Sequence, residues 1–230
     1  MMLSQKDKHT WLMVFLVAFC TFIISYIVFF YKADLPIYNP ADLNPELVDY
    51  SVQEVGANHV VSDFKLINQN GKTITQIDYL NKIYVVDFFF TRCPSICPIM
   101  ANNMKKLQER FLSTEQVMLL SLSVTPEMDS VPILKEYSDK YNANAIKWNI
   151  ATGDKKHIYN LARKSYFTVN DIGDGLLQDF IHTPNFVLVD SKKQIRGIYD
   201  GTKDDEIDRL INDISLLVKN SNKENTEVFN

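Results

Sequence analysis

The stretch Val86-Asp87-Phe88-Phe89-Phe90-Thr91-Arg92-Cys93-Pro94-Ser95-Ile96-Cys97-Pro98 decides how this chain is read. It closes an apolar run over residues 82–90 that is rich in β-branched and aromatic side chains. A run of that kind suits a central strand covered on both faces. The strand empties into two thiols, Cys93 and Cys97. If a helix starts here, positions i and i+4 lie on one face. Two sulfurs on one face either hold a soft metal ion or cycle between dithiol and disulfide. A plain structural crosslink is the poorer account, because so small a loop removes little unfolded-state entropy.

Two placements of the helix are open. If it starts near Cys93, Pro94 takes the first helical position, where a missing N–H costs nothing. Cys93 then sits by the positive end of the helix dipole with Arg92 beside it, and both favour the thiolate. Pro98 would fall inside that helix and remove a hydrogen bond. In the other placement residues 93–97 form a loop and the helix begins at Pro98. Asp87 is the second oddity, a carboxyl inside an apolar strand. Burial should raise its pKa. It either moves a proton during thiol chemistry or bonds to buried backbone.

Outward from this stretch, Met100, Met104, Leu107 and Phe111 continue a helix. Residues 117–124 read as a buried strand, 131–141 as a helix, 145–150 as a short strand and 155–166 as a third helix. Two strands, 186–189 and 194–199, flank the turn Ser191-Lys192-Lys193. Ile207, Leu210, Ile211, Ile214 and Leu217 share one face of a last helix over 204–218. Upstream, Phe64, Leu66 and Ile74 flank the hairpin signal Asn70-Gly71. Strands alternating with helices give an α/β sandwich. Thiols at the junction of a central strand and its helix point to a thioredoxin-like three-layer arrangement over residues 59–218. Residues 219–230 are polar and are expected to be a disordered tail.

Residues 11–31 carry no charge and are long enough to cross a bilayer as a helix. Trp11 and Tyr31 stand at the two ends, where interfacial aromatics are favoured. The run is too long for the core of a cleaved signal, and no small-x-small site follows it. Cys20 lies within it behind Phe19, which is no lipoprotein site, and reads as an inert membrane thiol. The expected order is a cytoplasmic N-terminus over 1–10, a transmembrane anchor over 11–31, and a linker over 32–58 that contains Pro36, Pro40 and Pro45. Lys6 and Lys8 precede the span, and Asp34, Asp42, Glu46 and Asp49 follow it. That bias places a single-pass protein in the inner membrane with its domain in the periplasm. The space is oxidising, so thiols kept there take redox or metal roles. A net charge of -4 argues against a nucleic-acid partner. The 3 cysteines are too few for a disulfide framework.

Imidazole is the usual companion of two thiolates, and two sulfurs with one nitrogen suit copper. Of the 4 histidines, His9 precedes the span, His59 stands at the linker boundary and His157 lies among Asp154, Lys155 and Lys156. His182 differs, in Phe180-Ile181-His182-Thr183-Pro184-Asn185-Phe186, directly before a strand. In a thioredoxin-like fold that loop faces the thiols.

On these residues the chain resembles the Sco/SenC proteins, membrane-anchored thioredoxin-like copper proteins that assist assembly of cytochrome c oxidase. The carriers are the quoted Cys-x-x-x-Cys-Pro stretch, then Leu122-Ser123-Val124-Thr125-Pro126-Glu127-Met128-Asp129-Ser130 with Leu134-Lys135-Glu136-Tyr137, and the run from His182 to Asp190. The resemblance implies copper, Cu(I) or Cu(II), held by Cys93, Cys97 and His182. It also implies delivery of that copper to the dinuclear site of the oxidase's copper-bearing subunit. The chain departs from the family in having Thr125 where Asp is common. Pro184 falls near the position of the thioredoxin cis-proline, and Asp87 resembles the buried thioredoxin Asp. The alternative function is therefore a thiol-disulfide oxidoreductase reducing cysteines of the same subunit or of other periplasmic proteins, with Cys93, Cys97 and Asp87 as its catalytic groups. Nothing in the sequence marks a peroxide pocket.

Overall fold

A computed structural model describes residues 5–30, 34–43, 45, 48–168, 181 and 183–228. The chain divides into two compact units, Met1–Asp34 and Leu35–Asn230. The first contains helix α1, Gln5–Phe30. Its described side chains, residues 11–26, are exposed throughout. Among the described residues no helix is long and apolar enough to cross a membrane. Those side chains stop short of the uncharged sequence that continues to Tyr31.

The larger unit is built on one sheet. Its strands are β1 (Lys65–Asn68), β2 (Thr73–Thr75), β3 (Ile83–Phe89), β4 (Val117–Ser123), β5 (Trp148–Thr152), β6 (Asn185–Val189) and β7 (Ile195–Asp200). They lie in the order β2-β1-β5-β4-β3-β6-β7. Strand β3 pairs parallel to β4 and antiparallel to β6. All its residues are buried, as the apolar run requires of a strand covered on both faces. Side chains alternate across a strand. Tyr84, Val86 and Phe88 therefore enter one core, and Ile83, Val85 and Phe89 the other. Asp87 shares the parity of Val85 and Phe89.

The second core packs α2 (Ile96–Arg110), α3 (Val131–Tyr141) and α5 (Asp204–Val228) through Met104, Leu134 and Ile214. The first packs α4 (Lys155–Asn160) and the wider π turn that follows it, Leu161–Ser165, through Ile158 and Leu161. Helices cover both faces, which gives the mixed α/β, thioredoxin-like three layers. The hairpin turns at Gly71, whose φ of 74° is in the left-handed region where a Cβ is disfavoured.

Several boundaries differ from the sequence reading. Residues 35–58, read as a linker, belong to the larger unit. Tyr38 N–H donates to Ile195 O at 2.9 Å, and Val48 is buried in the first core. Arg196 fixes the segment's start by donating to the carbonyls of Pro36 and Leu35. Prolines and lack of period hid this, because the contacts are to distant residues rather than to a repeating face. Helix α5 runs to Val228, past the expected end at 218. Strand β5 starts at Trp148 rather than 145, because Lys147 and Trp148 both donate backbone N–H groups to Asn144 O in a turn. Ile146, apolar in sequence, is 83% exposed.

Candidate metal and thiol site

Strand β3 delivers the chain to a turn in which Cys93 N–H donates to Phe90 O at 3.3 Å. Helix α2 then begins at Ile96, between the two placements considered from sequence. Cys93 precedes the helix and Cys97 lies in its first turn. Pro98 also falls in the first turn, where an N–H has no intrahelical acceptor and none is lost. Ser95 stands at the N-cap but makes no side-chain cap bond. The Cys93 sulfur takes that part instead, accepting Cys97 N–H at 3.5 Å. Ser95 Oγ lies 3.7 Å from the same sulfur.

The two cysteines are not joined in a disulfide and both are buried, Cys93 at 6% exposure and Cys97 at 3%. Their electrostatics differ sharply. Burial would raise the Cys93 thiol. The hydrogen bonds it receives from Cys97 and Ser95, backbone and side chain, outweigh that and bring it down to about 6. Burial pushes Cys97 up to about 12, against a backbone hydrogen bond at Phe90 and with reinforcement from the charges of Cys93 and Asp87. Arg92, expected to favour the thiolate, turns its Nη1 to Met128 Sδ at 3.6 Å. Local hydrogen bonds do the lowering.

Asp87 is 2% exposed. Ser121, its register partner on β4, donates its hydroxyl to Asp87 Oδ1 at 2.5 Å. Trp148 Nε1 donates to Ser121 Oγ at 2.9 Å, which completes a buried chain from β5 through β4 to β3. Burial pushes the Asp87 carboxyl up to about 7, against the pull of the Ser121 bond and of its own backbone N–H. The Tyr137 hydroxyl is held far above its usual range, by burial first and then by the charge of Asp87, by Tyr141 and by the two sulfurs. Its ring stands 4.9 Å from that of Phe89.

The structure thus brings Cys93, Cys97 and Asp87 to one end of β3. His182 lies outside the described residues. His59 Nε2 is 3.0 Å from Ser165 O, its ring packs on Phe167, and burial lowers its pKa. His157 donates its backbone N–H to Asp154 Oδ1 at the start of α4. None of the described peptide bonds is cis, that before Pro184 included. Among the described residues no three His, Cys, Asp or Glu side chains form a metal-binding group. Sequence reasoning missed Ser121, Trp148 and Tyr137. The available signal was a serine inside a second apolar strand, which needs a polar partner once buried.

Comparison with known proteins gives one consistent result. The SCO1/SenC family model matches residues 52–219. The chain is 30% identical over 159 residues to the SCO1 protein homolog of Bacillus subtilis (strain 168), covering 68% of this chain and 82% of that one. It is similar to the structure of BsSco, described as having a disulfide switch and as a member of the Sco family of cytochrome c oxidase assembly proteins. That match has a TM-score of 0.60 and 29% identity, and covers 70% of this chain and 94% of the other. The fold is also that of Bradyrhizobium japonicum ScoI with copper bound, at TM-score 0.55 and 21% identity over 69% of this chain and 99% of that one.

Proposed function

The chain belongs to the SCO1/SenC family, and from that premise we propose that it is a membrane-anchored copper carrier serving the assembly of cytochrome c oxidase. Copper is its cargo, bound by Cys93, Cys97 and His182 and passed to the copper-bearing subunit of the oxidase. The observation that carries this reading is the pair of unbridged cysteines at one helix start, joined by the Cys97 N–H to Cys93 Sγ contact at 3.5 Å. A low-pKa thiolate with a second sulfur one turn away is a soft donor set, and an added imidazole suits copper. Thiolates exchange readily on soft ions, so release to a second thiol site is a matter of ligand substitution.

Strand register supports His182 as the third donor. Strands β3 and β6 run antiparallel with Val86 opposite Val187. The chain entering β6 at Asn185 therefore comes in at the same end of the sheet at which β3 hands over to Cys93. Ile181 and Thr183, on either side of His182, are buried. The anchor reading rests on the uncharged sequence over 11–31 and on helix α1. The basic residues before that stretch favour a periplasmic domain.

The asymmetry of the thiols favours a second reading, a thiol-disulfide oxidoreductase. The Cys93 thiolate attacks a partner disulfide and one partner thiolate leaves. Cys97 then gives up its proton, attacks Cys93 Sγ and releases the second partner thiolate. Asp87 lies near enough for its charge to act on Cys97, and it is the base in this scheme. Anaerobic copper titration of the full chain with thiol counting tests the two readings. The carrier takes up one copper with loss of two titratable thiols, and a pure reductase takes up none.

A further inference from the structure

The loop that holds Cys93 is gripped by a carboxylate that neither reading uses. Asp129, between β4 and α3, has no exposed surface. Its Oδ1 accepts from Thr91 Oγ1 at 2.6 Å. Its Oδ2 accepts from Ser123 Oγ at 2.5 Å, from Thr125 Oγ1 at 2.9 Å and from the Thr91 backbone N–H at 3.3 Å. Ser123 Oγ in turn accepts the N–H of Thr125 at 3.1 Å. Four donors thus meet this one carboxyl group, one on Oδ1 and three crowded on Oδ2.

The donors divide by place. Ser123 and Thr125 sit on the β4 side of the carboxylate, near Asp129 in the chain. Thr91 comes from the turn after β3, two residues before Cys93, and it offers both its hydroxyl and its backbone N–H. Asp129 therefore ties the turn carrying Cys93 to the end of the neighbouring strand. Arg92 Nη1 on Met128 Sδ at 3.6 Å crosses the same gap. Thr125 contributes its hydroxyl to Oδ2 from within the loop that carries Asp129 itself.

We infer that Asp129, acting through Thr91, is a positioning residue that fixes the turn from which the Cys93 sulfur reaches the metal. The inference rests on the copper-carrier reading. Buried groups that orient ligands in this way typically change metal affinity by about 10–100-fold when lost.

Thr91→Val and Thr125→Val are twin probes in the full chain. Each is nearly isosteric and removes one hydroxyl donor from the same buried carboxylate, the donor to Oδ1 in Thr91→Val and one of three donors to Oδ2 in Thr125→Val, so urea melts of both variants separate lost stability from lost positioning. Positioning predicts that Thr91→Val loses Cu(I) to a competing chelator about tenfold more readily and shifts the thiolate-to-Cu(II) charge-transfer band. Thr125→Val then stays within about twofold of wild type, and Thr91→Ser, which keeps the hydroxyl, restores both signals. Twins that behave alike, both normal or both weakened, overturn the inference. If Thr91→Val does not fold, Thr91→Ala and Thr125→Ala replace the pair. If wild type itself holds no copper, the carrier reading falls on its own. Positioning is then read from the alkylation rate of Cys93 in metal-free protein, which Thr91→Val alters and Thr125→Val does not; equal rates refute it.

Discussion

The backbone N–H of Cys97 points at the sulfur of Cys93 across 3.5 Å. A helix start leaves its first N–H groups without intrahelical partners. Here a sulfur, rather than the usual side-chain oxygen, receives one of them. The bond favours the anionic form of the acceptor, so two thiols one turn apart differ in acidity, at about 6 for Cys93 and about 12 for Cys97.

That difference predicts selective labelling. The rate of iodoacetamide attack on metal-free protein should rise with a midpoint of about 6 for Cys93. Cys97 should label slowly through neutral pH. Mass spectrometry of the two peptides reads both, and equal rates at neutral pH would count against the hydrogen-bond account.

Asp87 makes a prediction of the opposite sign. Its carboxyl is raised from 3.8 to about 7 on folding. The folded protein therefore holds this proton more tightly than the unfolded chain. The stabilisation is full below the unfolded value and is lost as pH rises through about 7. Asp87→Asn removes the charge at similar size. It should stabilise the domain by roughly 1–3 kcal/mol in mild alkali and give no gain in acid. Urea melts at the two pH extremes measure this; a pH-independent difference would refute it.

Copper uptake separates the three donors. Cys93→Ser and Cys97→Ser should each abolish tight binding, a loss beyond the roughly 100-fold that outer groups produce. His182→Ala should weaken retention while disulfide exchange with a small substrate persists. Unchanged Cu(I) and Cu(II) titrations in the histidine variant would remove His182 from the site.

Arg196 and Asp190 pair at 2.8 Å, each side chain 7% exposed. Removing one partner of a buried pair strands the other charge, at a cost of about 3–5 kcal/mol. Arg196→Met should lower unfolding free energy by about that amount. It should also open residues 35–38 to limited proteolysis, because Arg196 holds the Pro36 and Leu35 carbonyls. A variant with wild-type stability and cleavage pattern would mean that this segment docks by other contacts.

Much of the fold was legible because its signals are local. The buried run of β3, the Asn70-Gly71 turn, the spacing of Met100, Met104 and Leu107, and the two cysteines each declare themselves within a short window, where strand and helix periods act. Helix α3 has the bounds its periodicity gives. The segment read as a linker was hidden for the opposite reason. Residues 35–58 have no period in sequence, yet Tyr38 docks on Ile195 and Val48 enters the first core.

The sequence by itself determined the chemistry available: two thiols after a central strand, a carboxyl inside it and a histidine ahead of another strand. Only the tertiary structure decided what those groups are to one another. It placed the helix start at Ile96, which made Cys93 an acceptor and Cys97 a buried thiol. It set Ser121 opposite Asp87 and Trp148 behind Ser121. Such pairings depend on strand register and on burial from every side. No stretch of chain encodes them alone, because the free energy of a buried polar group is fixed by partners that folding brings from far along the sequence.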